Sequence, residues 1–395
     1  MLRARLRWGG VIVKEHRPIV ILLAVTTAAG FWSTAAMELF ALFFLAAVLF
    51  QGSSRNVQQH MRTLLPETVT QLIFWFLYSA TMLVSFFLAS PGAASLPFHM
   101  LWHPLLFPAV LLLGVRQNEV RILAAVFLFS GCMSALATLS TYPASSAEHL
   151  ESLFVGDTTY FNLLVLAALA GVSLALSEST PPWVFLAAVL PAAVAVILSA
   201  LRAPIMIMLG ASLLLVLAAR PRAAFAWLAI TVVLMVFSPQ ALWMKMEWFI
   251  HGHPLDRYAV WAAGIRLIPT APMFGYGPGT YADLLPAGTQ TAFIHRPPTS
   301  WHNDLLQTIL ENGWVTALTY AAFLLTVIVP AVKASLRFCS SSAAALTAAR
   351  TVLLGASLCC SLLGLVVSTS VLGAVFWILL ALTATAASED HHHAR

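Results

Sequence analysis

The sequence predicts an all-α polytopic membrane protein with about 12 transmembrane helices and a helical extracytoplasmic loop. Three observations predict it. Of the 395 residues, 60% are hydrophobic and only 9% are charged, against roughly 25% charged in ordinary soluble domains. The apolar residues fall into runs of about 20, the length at which a helix crosses a hydrocarbon core of about 30 Å. The basic residues sit between those runs rather than within them.

So few charges cannot cover a water-facing surface, and most of the chain has lipid as its solvent. The net charge of +5 then reads as a topology signal and not as the footprint of nucleic acid. Cys132, Cys359 and Cys360 fall inside apolar runs and Cys339 in a short basic loop, with neither the spacing of a metal site nor that of a disulfide framework. They read as small core residues.

The basic start, Met1 to Arg17, leads into an apolar run that continues directly into another, which predicts an uncleaved first span. Spans follow near residues 18–33, 35–50, 68–88, 100–115, 122–141, 159–177, 182–201, 203–219, 223–243, 312–332, 351–368 and 370–387. Pro108, Pro191 and Pro204 are expected to kink or end helices. The chain thus divides into nine spans over residues 1–243, a loop over 244–311, three spans over 312–387 and a tail over 388–395. His391, His392 and His393 in that tail read as a disordered end or a tag, outside the chemistry.

With the N-terminus in the cytoplasm, 15 of the 20 Lys and Arg residues lie on the cytoplasmic side, as the positive-inside rule requires. The exceptions are Arg202, Lys245, Arg257, Arg266 and Arg296, four of them in the long loop. Cations are being kept outside against the rule, which points to an anionic ligand there.

Arg202 joins two apolar runs. An ionisable group at the membrane's edge is either a snorkelling anchor or a ligand for an anion, and a planar guanidinium binds phosphate through two parallel hydrogen bonds. In the loop, Asp256 to Ile268 reads as a helix. Nine residues at about 100° each put Arg257 and Arg266 on opposite faces, so either the helix breaks or only one of them reaches a given ligand. Gly275-Tyr276-Gly277-Pro278-Gly279 lacks the lysine of a phosphate-binding loop and reads as a sharp turn.

A second helix begins near His302, with Leu305, Leu306, Ile309 and Leu310 at helical spacing and Thr299 and Ser300 as capping hydroxyls. A histidine in a first helical turn is held neutral by the positive end of the dipole, the state a general base needs. No Asp-x-Asp pair occurs among the outside acids, so a phosphorylated leaving group would be neutralised by arginine rather than by a divalent cation.

Asp256-Arg257-Tyr258-Ala259-Val260-Trp261, then Pro272-Met273-Phe274-Gly275-Tyr276-Gly277-Pro278-Gly279-Thr280-Tyr281, then His302-Asn303-Asp304-Leu305-Leu306-Gln307 with Glu311-Asn312-Gly313 resembles the signature of the O-antigen ligase and polymerase superfamily. Its members are multi-spanning inner-membrane glycosyltransferases with a large periplasmic loop late in the chain. The hydropathy plan is similar to the ligase branch, while polymerases share the loop pattern.

The resemblance implies a GT-C-like enzyme that moves O-antigen polysaccharide from undecaprenyl diphosphate to lipid A-core at the periplasmic face. It uses no cofactor or metal, needs no partner protein, and contacts membrane lipids. Carried over by position, Arg202 and Arg257 bind the lipid diphosphate, and His302 activates the acceptor hydroxyl. Arg266 and Asn303 support them. Tyr276 and Trp301 either shape the sugar site or belong to an interfacial aromatic belt. The rival class is a lipid-glycan transporter, against which stands the scarcity of ionisable residues within the spans.

Overall fold

The computed structural model describes residues 18–52, 66–88, 102–142, 150–177, 182–236, 243, 256–285, 300–337, 342–363 and 369–393. Among the described residues the fold is helical, with no strand. The helices are α1 (Pro18–Ala29), α2 (Thr34–Gly52), α3 (Pro66–Leu88), α4 (Leu106–Leu113, entered by a short tight turn at His103–Leu105), α5 (Gln117–Ser140), α6 (Asp157–Ser177), α7 (Pro182–Leu198), α8 (Arg202–Ala219) and α9 (Ala224–Val236). The loop contributes α10 (Asp256–Leu267), α11 (Tyr281–Leu284), α12 (Asp304–Gln307) and a wide π turn at Thr308–Asn312. The chain closes with α13 (Gly313–Arg337), α14 (Ser342–Leu363) and α15 (Ser370–His393).

Each apolar run read from the sequence is helical over most of its length. Among the described residues, four helices are long and apolar enough to cross a membrane: Pro66–Leu88, Gln117–Ser140, Asp157–Leu176 and the continuous stretch Asp304–Ser335. The other apolar helices are shorter. Pro108 lies in the first turn of α4. α7 runs on through Pro191. Pro204 lies in the first turn of α8, where a backbone N–H has no helical partner to lose.

α6 is the centre of the bundle, with Tyr160 to Ala170 buried almost without interruption. It packs on α5, α7, α8 and α14. Glycines let these helices approach closely: a Cβ at Gly131 would lie 2.8 Å from Ala167 Cβ, and one at Gly171 would strike Val189 and Leu128. An aromatic column fills the space between α3, α13 and α15, with ring centroids 5.1 Å apart for Tyr78 and Tyr320 and 5.8 Å for Tyr78 and Trp377. α9 is the exception, touching α8 and the turn before it while leaving Phe225, Ile230, Val232 and Val236 exposed.

Hydrogen bonds between helix ends give the bundle two distinct ends. Thr138 Oγ1 lies 2.9 Å from Tyr160 Oη, the Leu150 N–H donates to Leu198 O, and Trp32 Nε1 donates to Ser130 Oγ. Ser85 Oγ, in the last turn of α3, donates to Phe274 O at 2.7 Å. Gly30, just past the close of α1, lies against Val371 at the start of α15, shortly after the end of α14 that holds Asn303 and Asp304 of the loop. Together these contacts put the close of α1, α3, α5 and α7 and the start of α6 and α8 at the end that carries the loop. Arg116, Arg121, Arg220, Arg222, Lys333, Arg337 and Arg350 lie toward the other end, where Ser335 Oγ meets Thr351 Oγ1 at 2.9 Å.

Candidate functional site

The loop has a small core of its own. Val260, Ala263, Tyr281, Leu285, Trp301, Leu306 and Leu310 are buried together. α10 approaches so closely at Gly264 that a Cβ there would lie 2.7 Å from Leu306 Cδ2 and 2.9 Å from the Trp301 ring. The Trp301 ring is fully buried and meets Tyr281 edge-on at 4.8 Å. Trp301 therefore packs the loop together and is neither a belt residue nor exposed toward a sugar.

α10 is continuous from Asp256 to Leu267, so Arg257 and Arg266 do occupy opposite faces. Position 257 shares its face with Val260 and Gly264, three and seven residues on, the face that packs on Trp301 and Leu306. Arg266 lies on the exposed face. The side chains of Asp256 and Arg257 lie outside the described residues, as do Thr299, Lys245 and Arg296.

The start of α12 corrects the capping expected from Thr299 and Ser300. Asn303 is the N-cap, its Oδ1 accepting from the Leu306 N–H at 2.9 Å. Its Nδ2 donates to Leu362 O at 2.9 Å. His302 thus stands one residue before the cap, not in a first helical turn, and the dipole argument weakens accordingly. It is half-buried, with φ +50°. A left-handed backbone costs a residue with a side chain roughly 1–3 kcal/mol and persists where the surroundings enforce it, often at functional sites.

Among the described residues, only one other non-glycine has positive φ, Ala200 at +52°. It lies two residues before Arg202, in the turn between α7 and α8. Arg202 opens α8, half-buried, behind an N-cap residue, Leu201, whose side chain makes no capping bond. A cation on the positive end of a helix dipole is unfavourable by about 0.3–1 kcal/mol. An anion seated there would meet both the guanidinium and the first-turn N–H groups. Both strained turns lie at the end of the bundle that carries the loop, one at the start of α8 and the other just before α12.

The Gly-x-Gly segment is a backbone clasp. The Tyr276 N–H donates to Leu310 O at 2.8 Å and the Gly277 N–H to Glu311 O at 2.9 Å. Glu311 Oε2 accepts from the Gly279 N–H at 3.0 Å and from Gln307 Nε2 at 3.3 Å, and its Oε1 has no hydrogen-bond partner among the described residues. Gly275 and Gly313, at φ +77° and +85°, face each other across this crossing, and a Cβ on either would fall on backbone of the other strand. The Tyr276 hydroxyl is turned back onto Thr270 O at 2.9 Å.

Asp304 is buried and accepts from Ser361 Oγ at 2.7 Å. Nothing in the sequence singles out Ser361, and Glu311 enters there only within the Glu311-Asn312-Gly313 motif. A helical i, i+4 spacing links Gln307 to Glu311, but nothing local announces the contact with Gly279 or with α14. Among the described residues no three of His, Cys, Asp and Glu lie together as metal ligands. No protein-family model matches this chain, and no curated protein matches it either.

Proposed function

We propose that the protein is a multi-pass glycosyltransferase of the O-antigen ligase type. It transfers O-antigen polysaccharide from undecaprenyl diphosphate to the outer core of lipid A-core, at the periplasmic face of the bacterial inner membrane. In this reading all 12 apolar runs span the bilayer, the fold is GT-C-like, and both termini are cytoplasmic. The observation that carries it is the pairing of two strained turns at one end of the bundle, beside Arg202 and at His302. The loop motif, with its unusual external arginines, supplies the chemistry.

The acceptor hydroxyl oxygen attacks the anomeric carbon as the bond from that carbon to the diphosphate oxygen breaks. The electron pair leaves with undecaprenyl diphosphate, and the acceptor proton passes to the His302 imidazole. Arg202 and Arg257 bind the diphosphate more strongly as its charge grows, and so lower the barrier by differential binding. General-base help from His302 is worth roughly 100- to 10,000-fold. With one base and no carboxylate nucleophile, a single displacement inverts the anomeric configuration.

The test is transfer of labelled glycan by the purified protein from undecaprenyl diphosphate to lipid A-core. Transfer to lipid A-core is the expected result. Transfer only to a second repeat unit makes the enzyme a polymerase, and movement of lipid-linked glycan across vesicles without transfer makes it a transporter. Transfer is expected to survive EDTA. Loss of activity restored by magnesium or manganese would contradict the metal-free mechanism.

A further inference from the structure

His302 is held in a left-handed backbone by its neighbours on both sides. Before it, Trp301 is locked in the loop core against Tyr281 and Gly264. After it, Asn303 and Asp304 are tied to consecutive residues of α14: Asn303 Nδ2 donates to Leu362 O at 2.9 Å, and Ser361 Oγ donates to Asp304 Oδ2 at 2.7 Å. Asp304 and Ser361 are only 3% and 4% exposed, so water competes little for that bond. The Asn303 cap could form without α14. Its amide and the Asp304 carboxylate nevertheless both reach across to it.

We infer that the last turn of α14 positions the base, with Ser361 acting through Asp304, and Asn303 through its amide, to hold the His302 turn in its left-handed conformation. The inference rests on the proposed role of His302. Ser361, Asp304 and Asn303 are positioning residues and do not touch the reacting atoms. Their effect is on where the imidazole stands, so turnover responds and donor affinity does not.

The experiment uses the full-length protein in nanodiscs with Ser361→Ala, Ser361→Thr and Asn303→Asp. The last keeps the capping oxygen and removes the amide donor. Ser361→Ala and Asn303→Asp are each expected to lower the rate constant about tenfold or more, with donor affinity unchanged within about twofold in the charge-neutral Ser361→Ala, and Ser361→Thr to restore most of the rate. In a His302→Ala background, Ser361→Ala should have no further effect on residual rate, whereas a merely structural role would act in both backgrounds.

An independent readout is the rate at which His302 is carbethoxylated, followed by mass spectrometry. It should rise in Ser361→Ala and return in Ser361→Thr. A wild-type rate with unchanged His302 labelling in Ser361→Ala overturns the inference while leaving the glycosyltransferase reading intact. Undiminished transfer by His302→Ala overturns the base assignment instead, and labelling still reports whether α14 sets the His302 turn.

Discussion

At the scale of single residues, the proposed mechanism gives His302 and the arginines different tasks, and substitutions tell them apart. On the proposed mechanism the imidazole serves the acceptor, so His302→Ala is expected to slow transfer by roughly 100- to 10,000-fold while leaving donor binding intact. Arg202→Ala and Arg257→Ala should weaken donor binding as well, by about 1.5–3 kcal/mol each for a lost charge-assisted contact, and lysine should restore only part because it lacks the fork. Arg266, on the exposed face of α10, should tolerate alanine with little change in affinity. Isothermal titration with a lipid diphosphate, alongside initial rates, checks all four. Glycines give a matched pair for stability. Gly313→Ala should lower the unfolding temperature sharply, because φ is +85° and Met273 O occupies the Cβ position, whereas a Cβ at Gly210 would meet nothing within 4 Å. Gly210→Ala should be neutral or slightly stabilising by its better helix propensity.

At the scale of elements, Glu311 joins the π turn to the Gly-x-Gly turn. Glu311→Ala should release the Gly279 N–H and the Gln307 amide together, seen as faster hydrogen exchange across residues 275–280 with the bundle unaffected. Glu311→Gln keeps a side-chain acceptor and should exchange more slowly than alanine. The elements themselves were largely legible. Apolar runs of about 20 residues became helices because a helix satisfies its backbone within a single segment in lipid and needs that length to cross it, and α12 followed from 3.6-residue periodicity. What could not be read were partnerships across the fold. The Asn303 cap carries a recognisable signal, Asn before Asp-Leu-Leu, but Thr299 and Ser300 offer competing capping hydroxyls just before it. Burial of Trp301 depends on Gly264, 37 residues away, and the Asp304 to Ser361 bond joins residues 57 apart. No local pattern specifies contacts at such separations.

At the scale of the whole molecule, the division of basic residues between the two ends predicts orientation. Single cysteines placed at Glu151 and Arg222, in a protein otherwise free of cysteine, should react with a membrane-impermeant maleimide from the periplasmic side at 151 and not at 222. The reverse pattern would move Arg202 and His302 to the cytoplasm and remove the case for a periplasmic enzyme. A different consequence follows from the crossing at Gly275 and Gly313. Residues 256–312 look in the sequence like a cassette strung between two spans. Their backbone is stitched to the head of α13, Ser85 of α3 holds Phe274 O, and the last turn of α14 holds Asn303 and Asp304. The loop is therefore not a transplantable module. A chimera that swaps residues 256–312 alone between two proteins of this architecture should misassemble, and one that carries α3, α13 and α14 with them should be the smallest exchange that keeps the fold intact.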